Sequence, residues 1–570
     1  MGSLLRRPGA VLALIILAGG VLRFYNLGWG GPYHHFHIDE HFVFSGAIDM
    51  RRDFWQAALA PKFFMYSPLP MYLLIGLLEG YEQLVRPLTF VGIEDGTTLM
   101  VLGRGISAAF GTATIPIVYL IARRLAGVSA GLIAAALLAF SVIHIRESHF
   151  FTVDTSLTFF CALTLLLALR MAQSGSLGSY IAAGVALAGA VLCKYSAVFL
   201  VAVIGLAHLL APGRVTWPGR PAPWARWVLK GALPLVVAAV TFLLLDPLVV
   251  THYDKFRQDI AEWVTQPLSG QTRPIWGAQF TNIQPQLYWF TNLLWWGFGP
   301  ALEIWGLLGF VWLATRRTTV AWIALAYPIA YFAGAGQTTL PFARYAVPFA
   351  PALAIAAGVL SADLLRRPRW RRAAAVATAI VIGSTGLYAL AYMNVFRAPD
   401  ARLEASGYLH RYVPQNARVL VEPSHNIPPT GRYLTEPAFD TDYVIWGAHG
   451  ERHDYYRMYT LDTYRFLYDR RPTDAEKQTY IAQRLALADY IVMDDTFLQF
   501  YEHLPASEHG VVKRYYEQLF NGELGFELLK TFKVYPSLFG MPINDDGAEL
   551  SFRLFDHPRV FVFMRMERRR

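Results

Sequence analysis

The sequence is poor in charge. Only 16% of its 570 residues are Asp, Glu, Lys or Arg, against roughly 25% in ordinary soluble domains. It has just two cysteines, Cys161 and Cys193, both in apolar runs, so a disulfide framework and a thiolate metal site are excluded and both read as small core residues. There is no glycine-rich phosphate loop, internal repeat or metal-finger spacing. The clustered charge of a nucleic-acid-binding tail is also missing, so no nucleic-acid partner is expected. What is present is hydrophobic: 55% of the residues are apolar and 14% aromatic, which disfavours disorder, a collagen-like repeat and a single soluble domain.

The charge is unevenly spread. Residues 396–570 hold 22 Lys+Arg and 25 Asp+Glu, leaving 28 and 16 for the first 395. The basic excess therefore lies wholly in the apolar part. This pattern predicts a polytopic membrane module over 1–395 and a soluble domain over 396–570, long enough for a core of its own.

A bilayer-spanning helix needs about 20 mostly apolar residues. Eleven stretches qualify: 8–27, 99–122, 128–146, 153–170, 178–193, 195–211, 228–247, 290–314, 319–337, 345–365 and 373–394. The fifth and sixth are short and flank Lys194, so a kinked hairpin is an alternative there. Lys/Arg bias in short loops sets orientation. Arg6 and Arg7, Arg123 and Arg124, Arg170, the group Arg214 to Lys230, Arg316 and Arg317, and the run Arg366 to Arg372 all fall on one side, with no acidic residue in those connecting stretches. The expectation is a multi-pass plasma-membrane protein with a cytoplasmic N-terminus and an extracytoplasmic C-terminal domain. The first stretch is followed by Arg23-Phe24-Tyr25-Asn26 in place of a small-x-small cleavage site, so it reads as a retained anchor.

Two long outside segments follow from this topology. Residues 28–98 are too long for a simple connector, and their apolar run Leu69 to Leu78 ends at Glu79 and Glu82, as an interfacial helix would. Counting it as a span would invert every later basic loop. Residues 248–289 lead into Tyr288-Trp289 and Trp295-Trp296, the pattern of an interface belt. In the C-terminal region the short runs Arg418 to Val421, Tyr490 to Met493 and Val560 to Phe563 alternate with polar helical stretches at 400–412 and 475–488, which predicts an α/β domain.

The unusual polar clusters of the apolar part all fall on the outer side. The first is His34-His35-Phe36-His37-Ile38-Asp39-Glu40-His41. Paired carboxylates with imidazoles suit a general base or a divalent metal site, or else a merely solvated loop. The second runs from His144 to Asp154 and includes Arg146, Glu147, Ser148 and His149. Arg146 pairing with Glu147 or Asp154 would tie that hairpin. Lys194-Tyr195 and Arg344-Tyr345 complete the set, and either cation alone could be a snorkelling anchor. Four outside turns carrying carboxylates or cations to one depth point to one shared site.

Taken together, the Asp39-Glu40 pair, the turn Arg146-x-Ser148-His149 with Asp154, Lys194-Tyr195 after a Gly/Ala-rich helix, and Arg344-Tyr345-x-x-Pro348 resemble the C-type (GT-C) glycosyltransferases. Within them the likeness is closest to bacterial protein O-mannosyltransferase-like and aminoarabinose-transferase-like enzymes. It covers about residues 8–365, and the order and common side of the motifs carry it. One departure is His37-Ile38-Asp39-Glu40, where His-Pro-Asp-Glu is associated with relatives.

The resemblance implies a GT-C-like helical membrane protein. Its activity would be transfer of a sugar from a polyprenyl-phosphate donor to a hydroxyl of a protein, glycan or lipid acceptor at the outer face, with inversion. It implies Asp39 as the base, Glu40 as a group that positions it or binds acceptor, and Asp154 as an acceptor or metal ligand. Lys62, Lys194 and Arg344 would neutralise the donor phosphate. Arg146 and His149 would hold the second turn, with Tyr195 and Tyr345 in support. No obligatory cofactor is expected; a divalent ion, Mg or Mn, is the alternative, with His37 and Asp39 as candidate ligands. The rival reading is a transporter, flippase or binder of lipid-linked sugars. Transporters place polar groups near the midplane of repeated halves, whereas here they sit at helix ends.

Overall fold

The computed structural model describes residues 7–30, 37–53, 64, 66–89, 97–211, 223–272, 274–422, 424, 457–468 and 471–566. Lys62, His34 and His35 lie outside them, as do Trp446, Tyr455 and Tyr456 of the C-terminal region.

The apolar part is a bundle of helices. Among the described residues, five helical stretches are long and apolar enough to cross a membrane: Thr97–Ala139, Asp154–Ser174, Trp224–Leu245, Ala343–Leu365 and Arg371–Tyr412. Pro8–Phe24, Leu177–Val191, Tyr195–Leu209, Pro300–Thr315 and Thr319–Ala335 are shorter apolar helices. Thr97–Ala139 breaks at Ala126–Gly127, where Gly127 has φ of +82°, a conformation that a side chain resists. The expected stretch 290–314 is also interrupted. A wide π-type turn over Trp289–Leu294 and the short helix Trp295–Phe298 end at Gly299, and Pro300 opens the next helix.

Close packing of small residues holds the centre. Ala343–Leu365 is 94% buried over its apolar window, whereas Trp224–Leu245 is only 17% buried; the first is the core of the bundle and the second a peripheral, lipid-facing helix. A Cβ on Gly358 would lie 2.6 Å from the Ala130 carbonyl oxygen, so these two backbones approach as only glycine allows. Without a hydrophobic drive between helices in lipid, such contacts are what van der Waals packing requires. The apolar residues that remain exposed, among them Val236, Leu244, Ile304, Val311 and Ile380, form the surface of a multi-pass membrane protein.

Before the second long helix, Ile38–Arg52 and Leu69–Leu84 pack together through Val43, Phe44, Leu74 and Leu78. The run Leu69 to Leu78 is thus helical, and Glu79 pairs with Arg51 at 2.7 Å.

The described residues of the C-terminal region are built on a five-stranded sheet. Its strands are β1 Arg418–Val421, β2 Arg457–Thr460, β3 Tyr490–Asp494, β4 Phe526–Phe532 and β5 Val560–Arg565, in the order β2-β1-β3-β5-β4. β1 runs parallel to β2 and β3, and β5 antiparallel to β3 and β4. β1, β3 and β5 are the apolar runs expected as strands, and they pair Val421 with Val492 and Val492 with Val562. Helices Ala401–Tyr412 and Asp474–Leu487 occupy the two polar helical stretches, the second opened by a Thr473/Glu476 capping box.

Candidate active site

The three carboxylates sit in the first turns of helices. Asp39 and Glu40 are the second and third residues of Ile38–Arg52, whose N-cap His37 accepts the Asp39 amide at Nδ1 (3.2 Å). Asp154 opens Asp154–Ser174. Unpaired amides and the helix dipole favour negative charge at such positions. Ile38 is the first helical residue, the place where proline fits without losing a bond, so Ile in place of Pro leaves this helix start intact.

Asp39 is 6% exposed. One carboxylate oxygen accepts from the Tyr66 hydroxyl at 2.6 Å, and the other is ion-paired with the Arg344 guanidinium. Arg344 lies on the 3-10 turn Ala343–Phe349, and its buried Nε has no acceptor among the described residues. Asp154 pairs with the Lys194 ammonium at 3.0 Å. Tyr345 joins the two pairs: Lys194 Nζ lies 4.9 Å and the Arg344 guanidinium carbon 5.8 Å from its ring centre, within reach of cation–π attraction. Asp39, Asp154, Lys194, Arg344 and Tyr345 therefore form one cluster, built from four separate chain segments.

Glu40 has a different setting. It is fully buried, with both oxygens on Arg104 at 2.8 and 3.0 Å and one also accepting the Phe151 amide at 2.9 Å. Arg104 in turn donates to the carbonyls of Leu27 and Trp29. Glu40 thus clamps the start of its helix to the turn before Asp154.

The remaining expected residues lie around this cluster. Arg146 reaches Asp556 at 2.9 Å and the Ser551 carbonyl at 2.6 Å, and also pairs with Glu147. His149 stacks on Phe396 at 3.8 Å and faces the carbonyls of Ile145 and Tyr25. Tyr195 donates to Asp246 at 3.1 Å and packs edge-on against Phe242 and Phe256.

His37 and Asp39, the candidate ligands for a divalent ion, are neighbours at the start of the same helix. The His37 Nδ1 is taken by the Asp39 amide, and the ring packs against Phe555 (4.1 Å) and Phe150 (4.8 Å). Among the described residues no group of three His, Cys, Asp or Glu side chains converges on a point that could hold an ion.

Sequence reasoning missed several partners. Arg104 was legible in principle, as an arginine inside an apolar stretch. Tyr66 carried no such mark. Neither did the C-terminal segment that reaches back to the site: Glu549 accepts the Ala343 amide at 2.9 Å and the Gln279 side chain at 2.7 Å. Beside it, Tyr392 donates to Asp556 at 2.9 Å, and His557 bridges Asp556 (2.6 Å) and Asp545 (2.9 Å). Burial opposes the His557 imidazolium, but Asp545 and Asp556 outweigh it and lift its pKa to about 9.

Comparison with known proteins agrees with this architecture. The chain superposes on ArnT from Cupriavidus metallidurans in the apo state with a TM-score of 0.51 at 18% identity, over 86% of this chain and 94% of that one. The undecaprenyl phosphate-bound form gives a TM-score of 0.50 at 19% identity, over 86% and 95%. The Archaeoglobus fulgidus oligosaccharyltransferase gives 0.49 at 15% identity, over 94% and 75%. Residues 98–250 match the family model for dolichyl-phosphate-mannose-protein mannosyltransferase. No curated protein sequence matches the chain significantly. The family match is confined to residues 98–250, and the superposition on ArnT shows a shared fold.

Proposed function

We propose that this protein transfers a sugar from a polyprenyl-phosphate donor to an acceptor hydroxyl, with Asp39 as general base. The observation that carries the reading is a buried carboxylate and two cations meeting at one aromatic ring, Tyr345, where helix ends converge. ArnT, which has this fold, has been crystallised with undecaprenyl phosphate.

In this reading the acceptor oxygen bonds to the anomeric carbon as the bond from that carbon to the phosphate oxygen breaks. The electron pair leaves with polyprenyl phosphate, and the acceptor proton passes to Asp39. Attack opposite the leaving group inverts the anomeric centre. Arg344 and Lys194 stabilise the charge developing on the phosphate, where fixed cations in a dry site are worth several kcal/mol. The Arg344–Asp39 pair is then the donor-free state: phosphate recruits the guanidinium and frees an Asp39 oxygen to accept the proton. Glu40 acts through position, holding its helix against Arg104 and Phe151. Asp154 sets Lys194 and reaches the acceptor. No step requires a metal; these roles rest on side-chain cations.

Each apolar helix is a span in this reading, with the stretch broken at Gly127 counted as two, giving eleven. The basic loops put the N-terminus in the cytoplasm and the C-terminal region outside, with the site at the outer face and a protein, glycan or lipid acceptor. The test is radiolabelled sugar transfer from a panel of polyprenyl-phosphate sugars by the full chain in nanodiscs, with and without chelator. Donor-dependent release of polyprenyl phosphate that persists in chelator supports the reading. Donor bound but never cleaved, with any acceptor fraction, would point to transport or binding instead.

A further inference from the structure

The sheet region carries a small hairpin with an unusual tip. Ser537–Leu538 pairs with Met541–Pro542, and Phe539 and Gly540 form the turn. Both turn residues have positive φ, +52° and +80°. That conformation suits Asn-Gly or Gly-Gly, and for a bulky aromatic it is an outlier. Persisting strain of this kind is a reason to look for a role. Phe539 is 87% exposed and Met541 is 66% exposed, so the strain presents two large apolar side chains to the surroundings.

The hairpin also has a telling position. Its base meets the last membrane helix, Arg371–Arg397: Asn394 donates to the Tyr535 carbonyl at 3.3 Å, and Ile543 lines a cavity of about 300 Å³ with Ser384, Thr385 and Tyr388. Thr385 lies nine residues before Asn394, about 13 Å further down the helix. The contacts therefore descend from the helix end towards the bilayer, along the segment whose Leu387 and Leu390 are about half exposed, at 52% and 51%. Trp295 and Trp296 line the same cavity, and Tyr535 holds the Lys533 ammonium at 2.8 Å. Lys533 and Tyr535 at the hairpin base, Trp295 and Trp296 at the cavity and exposed Phe539 and Met541 at the tip are the residue types of a segment crossing from headgroups into hydrocarbon.

We propose that the hairpin Ser537–Pro542 is a membrane wedge, with Phe539 and Met541 inserted among the acyl chains of the outer leaflet. Its occupant is the lipid surface that already bathes Leu387 and Leu390, with which the hairpin is continuous. The wedge fixes the C-terminal region at a set height over the bundle, and so keeps Glu549 and Asp556, from the same stretch of chain, seated on the Ala343 turn and on Arg146.

The test uses the full chain in phospholipid nanodiscs, with an environment-sensitive fluorophore on Phe539→Cys and, separately, on Met541→Cys. Ser507→Cys, on an exposed helix of the sheet region, is the aqueous control. The native Cys161 and Cys193 are buried, and the unsubstituted chain serves as the labelling blank. The wedge predicts blue-shifted emission at both hairpin sites and quenching several-fold stronger by nitroxide-bearing lipids than by aqueous iodide, the reverse of the control. Iodide quenching equal to that at Ser507→Cys would overturn it. Protection from both quenchers would also do so, by showing that protein covers the tip.

Discussion

Glu549 accepts the backbone amide of Ala343 at 2.9 Å, although 206 residues separate them. Arg344 is the next residue, so a carboxylate from the C-terminal region holds the turn that presents the site's guanidinium. Glu549→Ala should lower transfer about tenfold, mostly through donor KM, because a misplaced cation loses its phosphate contact. Glu549→Gln keeps an acceptor oxygen and should lose less. Steady-state kinetics of both variants in nanodiscs check this, and equal losses would contradict it.

The Glu40–Arg104 pair is wholly buried on both sides. Removing one partner strands a charge, at a cost of about 3–5 kcal/mol. Arg104→Ala should therefore lower the midpoint of thermal unfolding sharply, and Arg104→Ala with Glu40→Ala should recover much of the loss without restoring transfer. A double-mutant cycle on melting temperature measures the coupling.

Lys194 is the more accessible cation, its side chain 27% exposed beside Asp154. Lys194→Ala should weaken polyprenyl-phosphate binding by about tenfold, or ~1.4 kcal/mol, whereas Lys194→Arg should retain most of it. Equilibrium binding of polyprenyl phosphate distinguishes the two, and an unchanged affinity in Lys194→Ala would remove the residue from the phosphate site.

His557 makes docking of the C-terminal region sensitive to pH. Its folded pKa of about 9 lies above the ordinary imidazole value of 6.5, so the stability it contributes is fully present below about pH 6.5 and is lost as pH rises through 9. A shift of that size corresponds to something on the order of 3 kcal/mol. Melting temperature should fall between those pH values, and His557→Gln should flatten that part of the curve.

Much of the fold was legible because the bilayer leaves few choices for apolar chain. Apolar runs and a one-sided set of basic loops mark the helices, and the β-branched or aliphatic runs at Arg418, Tyr490 and Val560 mark three strands of the sheet. β2 and β4 escaped because neither is an apolar run; β4 alternates around Glu527 and Lys530, with its ends buried and its middle half open. At the site, Asp39, Asp154, Lys194 and Arg344 stood out as charges at the ends of apolar helices, where a charge must have a reason. Tyr66 and Glu549 did not, since a tyrosine near an interface and a glutamate in a polar domain are ordinary there. Their importance comes from tertiary contacts across distant segments, which local pattern does not record. Tyr195 shows the converse: it neighbours Lys194 in sequence, yet its hydroxyl turns to Asp246.

The most direct measurement compares Asp39→Asn with the unsubstituted chain for sugar transfer and for polyprenyl-phosphate binding in the same nanodisc preparation. A general base is worth about 10²–10⁴ in rate, so transfer should fall by that factor. Polyprenyl phosphate should bind at least as tightly, because Arg344 no longer has a carboxylate competing for it. Transfer that survives in Asp39→Asn at close to the original rate would contradict the assignment of the base and, with it, the account of the site.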